Sequence, residues 1–522
     1  MRTWKQVCTA ITSILLFHAP LLLGGQLQTP QSAVERAVQV MGGKEVLEQI
    51  VTMQGRGRRT TFHLTDSDHP EQPFLVDYAE VGFYADFAHE SMISQSDAQI
   101  ANGDHQTATV IYRTSAAEMR STYNGTSYPV QLIPAPQNWH LEDPRTVLLA
   151  ALTASDLTNA GKSNLYGTPH TLARFTHDGQ PVTLELNDYN GYLDSITFRR
   201  CAPYSIALSV WGDYQEKVQF GDWRLQARGL HYPFLVTRYF NDVMERIDST
   251  DQLELNPRES SLQSVVNTPA DPHAVESPSN VDDIQLSGLK RKENGNPGIP
   301  PKEIAPGVLQ IPGNWYTAVI RQSDGLVVID APISSGYSRR VIEEAKRQYP
   351  GLPIKAVITS TSYWWHFAGL REYASLGIPI YVLDVNKPLI QAVLKAPHIS
   401  HPDDLARSGA IPKLVAVSMP TTIGEGTNKL VLYPIRSSTG QMMMTWLPDA
   451  HILDTAEMAQ PLGPNNTFLY PQSLWELMES AKRYQLPIEK IIGMHMSPTD
   501  WALLLKTVDR AIAGQPAPTV HD

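Results

Sequence analysis

The stretch Ile358 to Leu370, ITSTSYWWHFAGL, runs an apolar strand into a Thr/Ser-rich turn and then into His366-x-x-Gly at a helix start. That is the frame of a metal-binding loop, in which one tight turn presents successive side chains to an ion. His366 is its one strong ligand. The bland alternative is a turn with a hydrogen-bonded histidine. Other chemistry-bearing residues are weaker candidates. His398 and His401 in PHISHP are ligand-capable but Pro-flanked, and read as a solvated loop. The run Met442 to Met444 occupies a strand slot and is expected in the core. Cys201 has no neighbour that would lower its pKa and is expected as a small buried hydrophobe. The other cysteine, Cys8, lies in an apolar stretch near the N-terminus.

The elements around ITSTSYWWHFAGL alternate strand and helix. GLVVID precedes SRRVIEEAKRQY, AVITS precedes HFAGLREYASLG, and IPIYVLD precedes the stretch from Lys387 to Leu394, an α/β layered pattern. Strand-like LVLYPI, MMMTWLP and HILDT follow. A helix is expected from Leu474 to Tyr484, with Ser473 and Glu476 as a capping box and Leu474, Leu477, Met478 and Ala481 on one face. Strand KIIGMH and a last helix up to Gly514 close this half, leaving 515–522 as a tail.

Upstream, residues 258–303 are rich in Ser, Pro, Asn and Asp and free of aromatics, a flexible-linker composition. Before it lie an amphipathic helix, SAVERAVQVMGGKEVLEQI, and period-2 segments, with PVTLELND and YLDSITFRR flanking the hairpin signal Asn190-Gly191. A curved antiparallel sheet flanked by helix, an α+β arrangement over 26–257, is the expectation. Residues 1–25 read as a signal peptide: Arg2 and Lys5, an apolar stretch from Val7 to Leu23, then Gly24 and Gly25. Export to a periplasmic or extracellular space follows, with no stable membrane span after cleavage and anchoring if the segment is retained. A net charge of -11 and a pI near 5.8 exclude a nucleic-acid partner on electrostatic grounds.

The segments GLVVIDAP, VITSTSYWWHFAGL, TWLPDAHILDTAE and IIGMH, in that order, resemble the metallo-β-lactamase superfamily over about 304–514. The resemblance implies an αββα four-layer sandwich with metal ligands on loops at one edge of its sheets. The family's HxHxDH signature falls on Thr361, Tyr363, Trp365 and His366, its later strand-end His on Ser438, its bridging Asp on Glu457 and its C-terminal His on His495. Asp330, ending VVID, takes a supporting hydrogen-bonding role in such a site. One of the two metal positions thus loses all its imidazoles. The other keeps His366, His495 and Glu457, a set able to hold one zinc or iron ion. The first half, through MGGKEVLEQIVTMQGRG and VQFGDWRLQARGLHYPF, resembles periplasmic lipoprotein-carrier domains.

The leading expectation is a noncatalytic or diverged ligand-binding protein of the cell envelope without a cofactor. Its pocket would be the old cleft, lined by Tyr363, Trp364, Trp365, His366 and His495, and its ligand a small molecule or lipid. One alternative is a single-metal hydrolase of ester, amide or thioester bonds. The other is lipid carriage by the first half. Sequence leaves the oligomeric state and contact between the halves open.

Overall fold

The computed structural model describes residues 29–516, apart from 68–70, 102, 114–115, 136–138, 267, 277–280, 284–291, 294–295, 298–299, 313–314, 438–439, 462–467 and 469. The expected signal peptide and Ser438 lie outside the described residues. Among them, no helix is long and apolar enough to cross a membrane.

The first half is built on one large sheet. Its first long strand, Thr52–Phe62, sits mid-sheet between Val76–Asp86 and the last long strand, Val243–Leu255, so the two ends of the half meet in antiparallel register. The pairing is antiparallel except where Val275–Glu276 runs parallel to Gln131–Pro134. The helix Pro30–Val40 starts at Thr29, whose hydroxyl accepts from the Ser32 amide, and places Ala33, Val34, Ala37 and Val38 on one buried stripe. That stripe packs with Val147 and Leu148 of helix Pro144–Thr153 over Val182, Leu184, Ile196 and Phe198 of the sheet.

The Asn190-Gly191 signal does join two antiparallel strands, Gln180–Asn187 and Leu193–Cys201. The connection is wider than a two-residue turn, because the Asn187 side chain accepts from the Tyr189 and Asn190 amides and holds the loop open.

The expected linker is partly built into the fold. Leu262, Val265 and Val266 form a short helical stripe, i, i+3, i+4, on Ser261–Val266 that packs against Tyr84, Ile93 and Ile111. Farther on, Val281 is buried and donates its amide to Pro203 O, while Asp282 accepts from the Gly336 amide.

The second half has two facing sheets. One runs in the order Lys302–Ala305, Val308–Ile311, Thr317–Gln322, Gly325–Ile329, Ile354–Thr359, Ile380–Leu383, Leu414–Val417, its last four strands parallel. The other runs Thr421–Ile423, Leu430–Ser437, Gly440–Leu447, Ile452–Asp454, Lys490–Gly493, Met496–Asp500. Strands covered on both faces need apolar residues at every position, and alternate side chains divide between two cores. Val327, Ile329, Ile320 and Val308 meet Leu432, Met443 and Ile452 between the sheets. Leu326, Val328 and Val319 instead face Tyr337, Val341 and Ala345 of helix Ser335–Gln348. On the far side, Met442, Met444 and Leu453 meet Leu474, Leu477 and Leu504 of helices Pro471–Arg483 and Trp501–Ile512. The result is helix, sheet, sheet, helix, and the methionine run is core.

Helix Pro471–Arg483 begins before Leu474, with Tyr470 as its N-cap and no side-chain cap bond. The expected capping box is not formed. Pro471 sets the first turn, Ser473 is buried inside it, and Glu476 accepts from Gln472 instead. The two halves share one core: Ala202, Val210, Tyr214 and Phe240 of the first pack with Trp364, Phe367 and Ala368 of the second.

Candidate functional site

Three loops at one edge of the facing sheets bring the site together. His366 ends a single helical turn, Trp364–His366, after strand Ile354–Thr359. Glu457 lies just past strand Ile452–Asp454. His495 sits in the two-residue connection between Lys490–Gly493 and Met496–Asp500. One ligating atom from each of the three lies within 4.8 Å of the others. His366 Nδ1 is 3.0 Å from Glu457 Oε2, and His495 Nε2 is 3.0 Å from both carboxylate oxygens.

The environment is closed. His366 is fully buried, and Glu457 and His495 are nearly so. Burial, and secondarily the neighbouring His495, push the His366 imidazole well below its ordinary range, so the neutral ligand form persists into acid. Burial also raises the Glu457 carboxyl, against the opposing attraction of His495. Among the described residues, neither ring nitrogen of His366 has a hydrogen-bond partner, although Nδ1 lies so near the carboxylate. The approach is close but off the line of a hydrogen bond. A buried polar group left unpaired costs about 1–3 kcal/mol, and a cation between these atoms would satisfy it.

The supporting residues explain how the loops stay in place. Both oxygens of Asp330 accept from the Ser360 hydroxyl, and Oδ1 also accepts its amide, at 2.8 Å each, which fixes the start of the His366 loop. Asp330 holds this turn from a left-handed backbone at φ 65°. Burial raises its carboxyl to about 7 despite the Ser360 bonds, with a further push from Glu457. Gln460 Nε2 donates to Glu457 at its carbonyl, 3.2 Å, and at its carboxylate. Gly493 lets the Glu457 loop approach the His495 strand: a Cβ there would stand 2.8 Å from Thr455 Oγ1 and 3.0 Å from Ala456 O. Gly369, the glycine of His-x-x-Gly, similarly meets Ser338 Oγ at 2.1 Å if given a Cβ.

The remaining sequence candidates divide. Thr361 is buried, its hydroxyl accepting from the Tyr363 amide at 3.2 Å. Tyr363 and Trp365 flank His366, with ring centroids 5.8 and 5.9 Å away. Trp364 does not line this cleft. The helical turn sends it the other way, where it packs edge-on against Trp211 at 5.1 Å and against Phe240 at 5.2 Å in the shared core. His398 is no solvated loop residue: its side chain is mostly buried and its ring faces Val210 O at 3.3 Å, between the halves.

Sequence reasoning missed Trp315, whose ring lies 6.1 Å from His366 and 6.3 Å from His495, and it missed Asp66. Asp66 belongs to the first half, and its charge helps to raise Glu457. Its loop is held to the site's rim, since the Trp364 amide donates to Thr65 O at 3.0 Å. No local signal marks a residue nearly three hundred positions from the loop it meets.

No protein-family model matches the chain, and no curated protein matches it. Among solved structures, it is similar to a metallo-β-lactamase from Pontibacter korlensis, with 14% identity, 40% of this chain and 96% of that one covered, and a TM-score of 0.32. It is also similar to a stereoselective inverting sec-alkylsulfatase from Pseudomonas sp., with 17% identity, 41% of this chain covered and a TM-score of 0.32. The chain spans 42% of that sulfatase. A metallo-β-lactamase from Erythrobacter litoralis shows 15% identity, 41% and 96% coverage and a TM-score of 0.30. The likenesses are thus to proteins of the metallo-β-lactamase fold, over about 40% of the chain.

Proposed function

We propose that the second half is a hydrolase-type centre with one metal ion, zinc or ferrous iron, held by His366, Glu457 and His495. The observation that carries this reading is His366, a fully buried imidazole with neither nitrogen hydrogen-bonded among the described residues, beside a carboxylate and a second imidazole whose donor atoms converge on it. Two imidazoles and one carboxylate are a donor set suited to such an ion. When bound, the ion would supply Lewis acidity toward an ester, amide or thioester carbonyl. Burial of His366 favours its neutral ligand form, while the His495 and Gln460 contacts oppose the burial that raises the Glu457 carboxyl. Trp315, Tyr363 and Trp365 wall the centre with rings, which favours an apolar or ring-bearing group beside the scissile bond. The second metal position of the resembled family has Thr361, Tyr363 and Ser438 here in place of its three imidazoles. The test is hydrolysis of activated esters, thioesters and lactams by zinc-loaded protein. Activity that falls to the chelator-treated level in His366→Ala supports the reading, and activity unchanged in that variant refutes it.

A second reading concerns the first half and has its own observation. A cavity of about 350 Å³ opens on its sheet, walled by Met53, Phe83, Met92, Val110, Phe220 and Val236. Arg59, Arg238 and Arg246 also line it, paired to Glu142, Glu216 and Asp248. An amphiphile with an apolar chain and a polar head fits that lining of apolar wall and paired charges. Organic extraction of the purified full chain followed by mass spectrometry checks it: stoichiometric lipid supports carriage, and clean apo protein counts against it. Export to the cell envelope, with residues 1–25 removed, is part of the same proposal, and N-terminal sequencing of the secreted protein tests it.

A further inference from the structure

His140, His177 and Asp178 form a second convergence of metal-ligating atoms, in the first half and independent of the centre above. His177 ends strand Thr168–His177, and Asp178 and Gly179 make the two-residue turn to Gln180–Asn187, both at positive φ, 47° and 75°. Such a turn is tight and fixes Asp178 next to His177. The facing ligand comes from the short helical segment Trp139–Glu142. That segment is clamped on three sides: Trp139 stacks on Tyr112 at 5.2 Å, Leu141 is buried, and Glu142 pairs with Arg200 at 2.5 Å and with Arg238. His140 is therefore presented from a braced platform at the edge of the lined cavity.

The distances match those between donors on one ion. His140 Nε2 and His177 Nε2 are 3.4 Å apart, a long hydrogen bond when no ion lies between them. His177 Nε2 and Asp178 Oδ2 are 3.6 Å apart. Donors bound at about 2.0–2.1 Å around a tetrahedral zinc stand roughly 3.4 Å from one another. Asp178 is 75% exposed, so the remaining coordination position opens to solvent.

We propose that His140, His177 and Asp178 bind a divalent transition-metal ion of the zinc class, which clips the Trp139–Glu142 segment to the hairpin at the cavity's edge. Nitrogen donors select zinc, copper or nickel over magnesium and calcium. The experiment is calorimetric titration of the metal-free full chain with Zn²⁺, in parallel with His140→Ala/His177→Ala and with Asp178→Asn. The expected result is one equivalent fewer in the double variant, and affinity at that same equivalent weakened by about tenfold or more in Asp178→Asn. Mg²⁺ gives no heat that these variants alter. Equal zinc stoichiometry and affinity in parent and double variant overturns the site, as does the absence of zinc binding in both. Because the readout is a difference at His140 and His177, it stands whether or not the His366 centre takes metal, and His366→Ala/His495→Ala run alongside reports on that centre separately. Circular dichroism of each variant confirms the fold, with Asp178→Asn as the exposed, least intrusive change.

Discussion

At the residue scale, the centre depends on two residues that touch no ligand atom. Gly493→Ala would drive a methyl into Thr455 and Ala456 and move the Glu457 loop off the His495 strand. The expected outcome is loss of metal at the His366 centre with a fold still intact, checked by metal content beside circular dichroism. Asp330 gives a pH prediction with a definite sign. Its carboxyl is raised to about 7 in the folded chain against an unfolded value near 3.8, so the folded state holds the extra proton between those values. Stability then falls as pH rises from about 4 through 7, since folding favours protonation there. Melting temperature across pH 4 to about 8 should decline less steeply in Asp330→Asn, which keeps an acceptor for Ser360 and cannot ionise. Identical slopes in parent and variant would remove Asp330 as the cause. His366 stands out in its own loop, whereas Glu457 and His495 were reached only through the resemblance of TWLPDAHILDTAE and IIGMH to the metallo-β-lactamase superfamily. Gly493 and Asp66 were not legible, because their roles come from approaches between segments far apart in the chain; Gln460 sits only three residues from Glu457, but no motif marks its bond.

At the element scale, periodicity was most informative where both faces are buried. The run Met442 to Met444 splits between the two cores on either side of one strand, with Met443 between the sheets and its neighbours under the helices. Met443→Ala should therefore cost about 2–5 kcal/mol, measured by denaturant unfolding, as a cavity opens at the centre of the sandwich. Where the sequence misled, a competing local rule had won. The capping box at Ser473 lost to Pro471, which starts the helix earlier, and the Asn190-Gly191 turn widened because Asn187 offered its side chain to two amides. The Ser/Pro-rich segment after residue 257 hid a three-residue apolar stripe, enough to dock a short helix against Tyr84.

At the scale of the whole molecule, the halves are joined by packing as well as by chain. Trp364 packs against both Trp211 and Phe240, and Asp213 of the first half accepts from the Ile399 amide at 2.5 Å and the Ser400 amide at 3.0 Å of the second. Composition left contact between the halves open; side-chain direction at one helical turn, which no composition reveals, joins them. A shared core implies coupled unfolding. Trp364→Ala should destabilise by about 3–5 kcal/mol and split one calorimetric transition into two. A single unshifted transition would mean that the contact contributes little.

The claim on which the rest turns is that His366, Glu457 and His495 hold an ion. Elemental analysis for zinc and iron of the purified full chain, beside His366→Ala/His495→Ala prepared identically, addresses it most directly. The account expects one metal ion per chain fewer in the double variant. Equal metal in both would contradict it and leave a buried histidine whose unpaired nitrogens need another explanation.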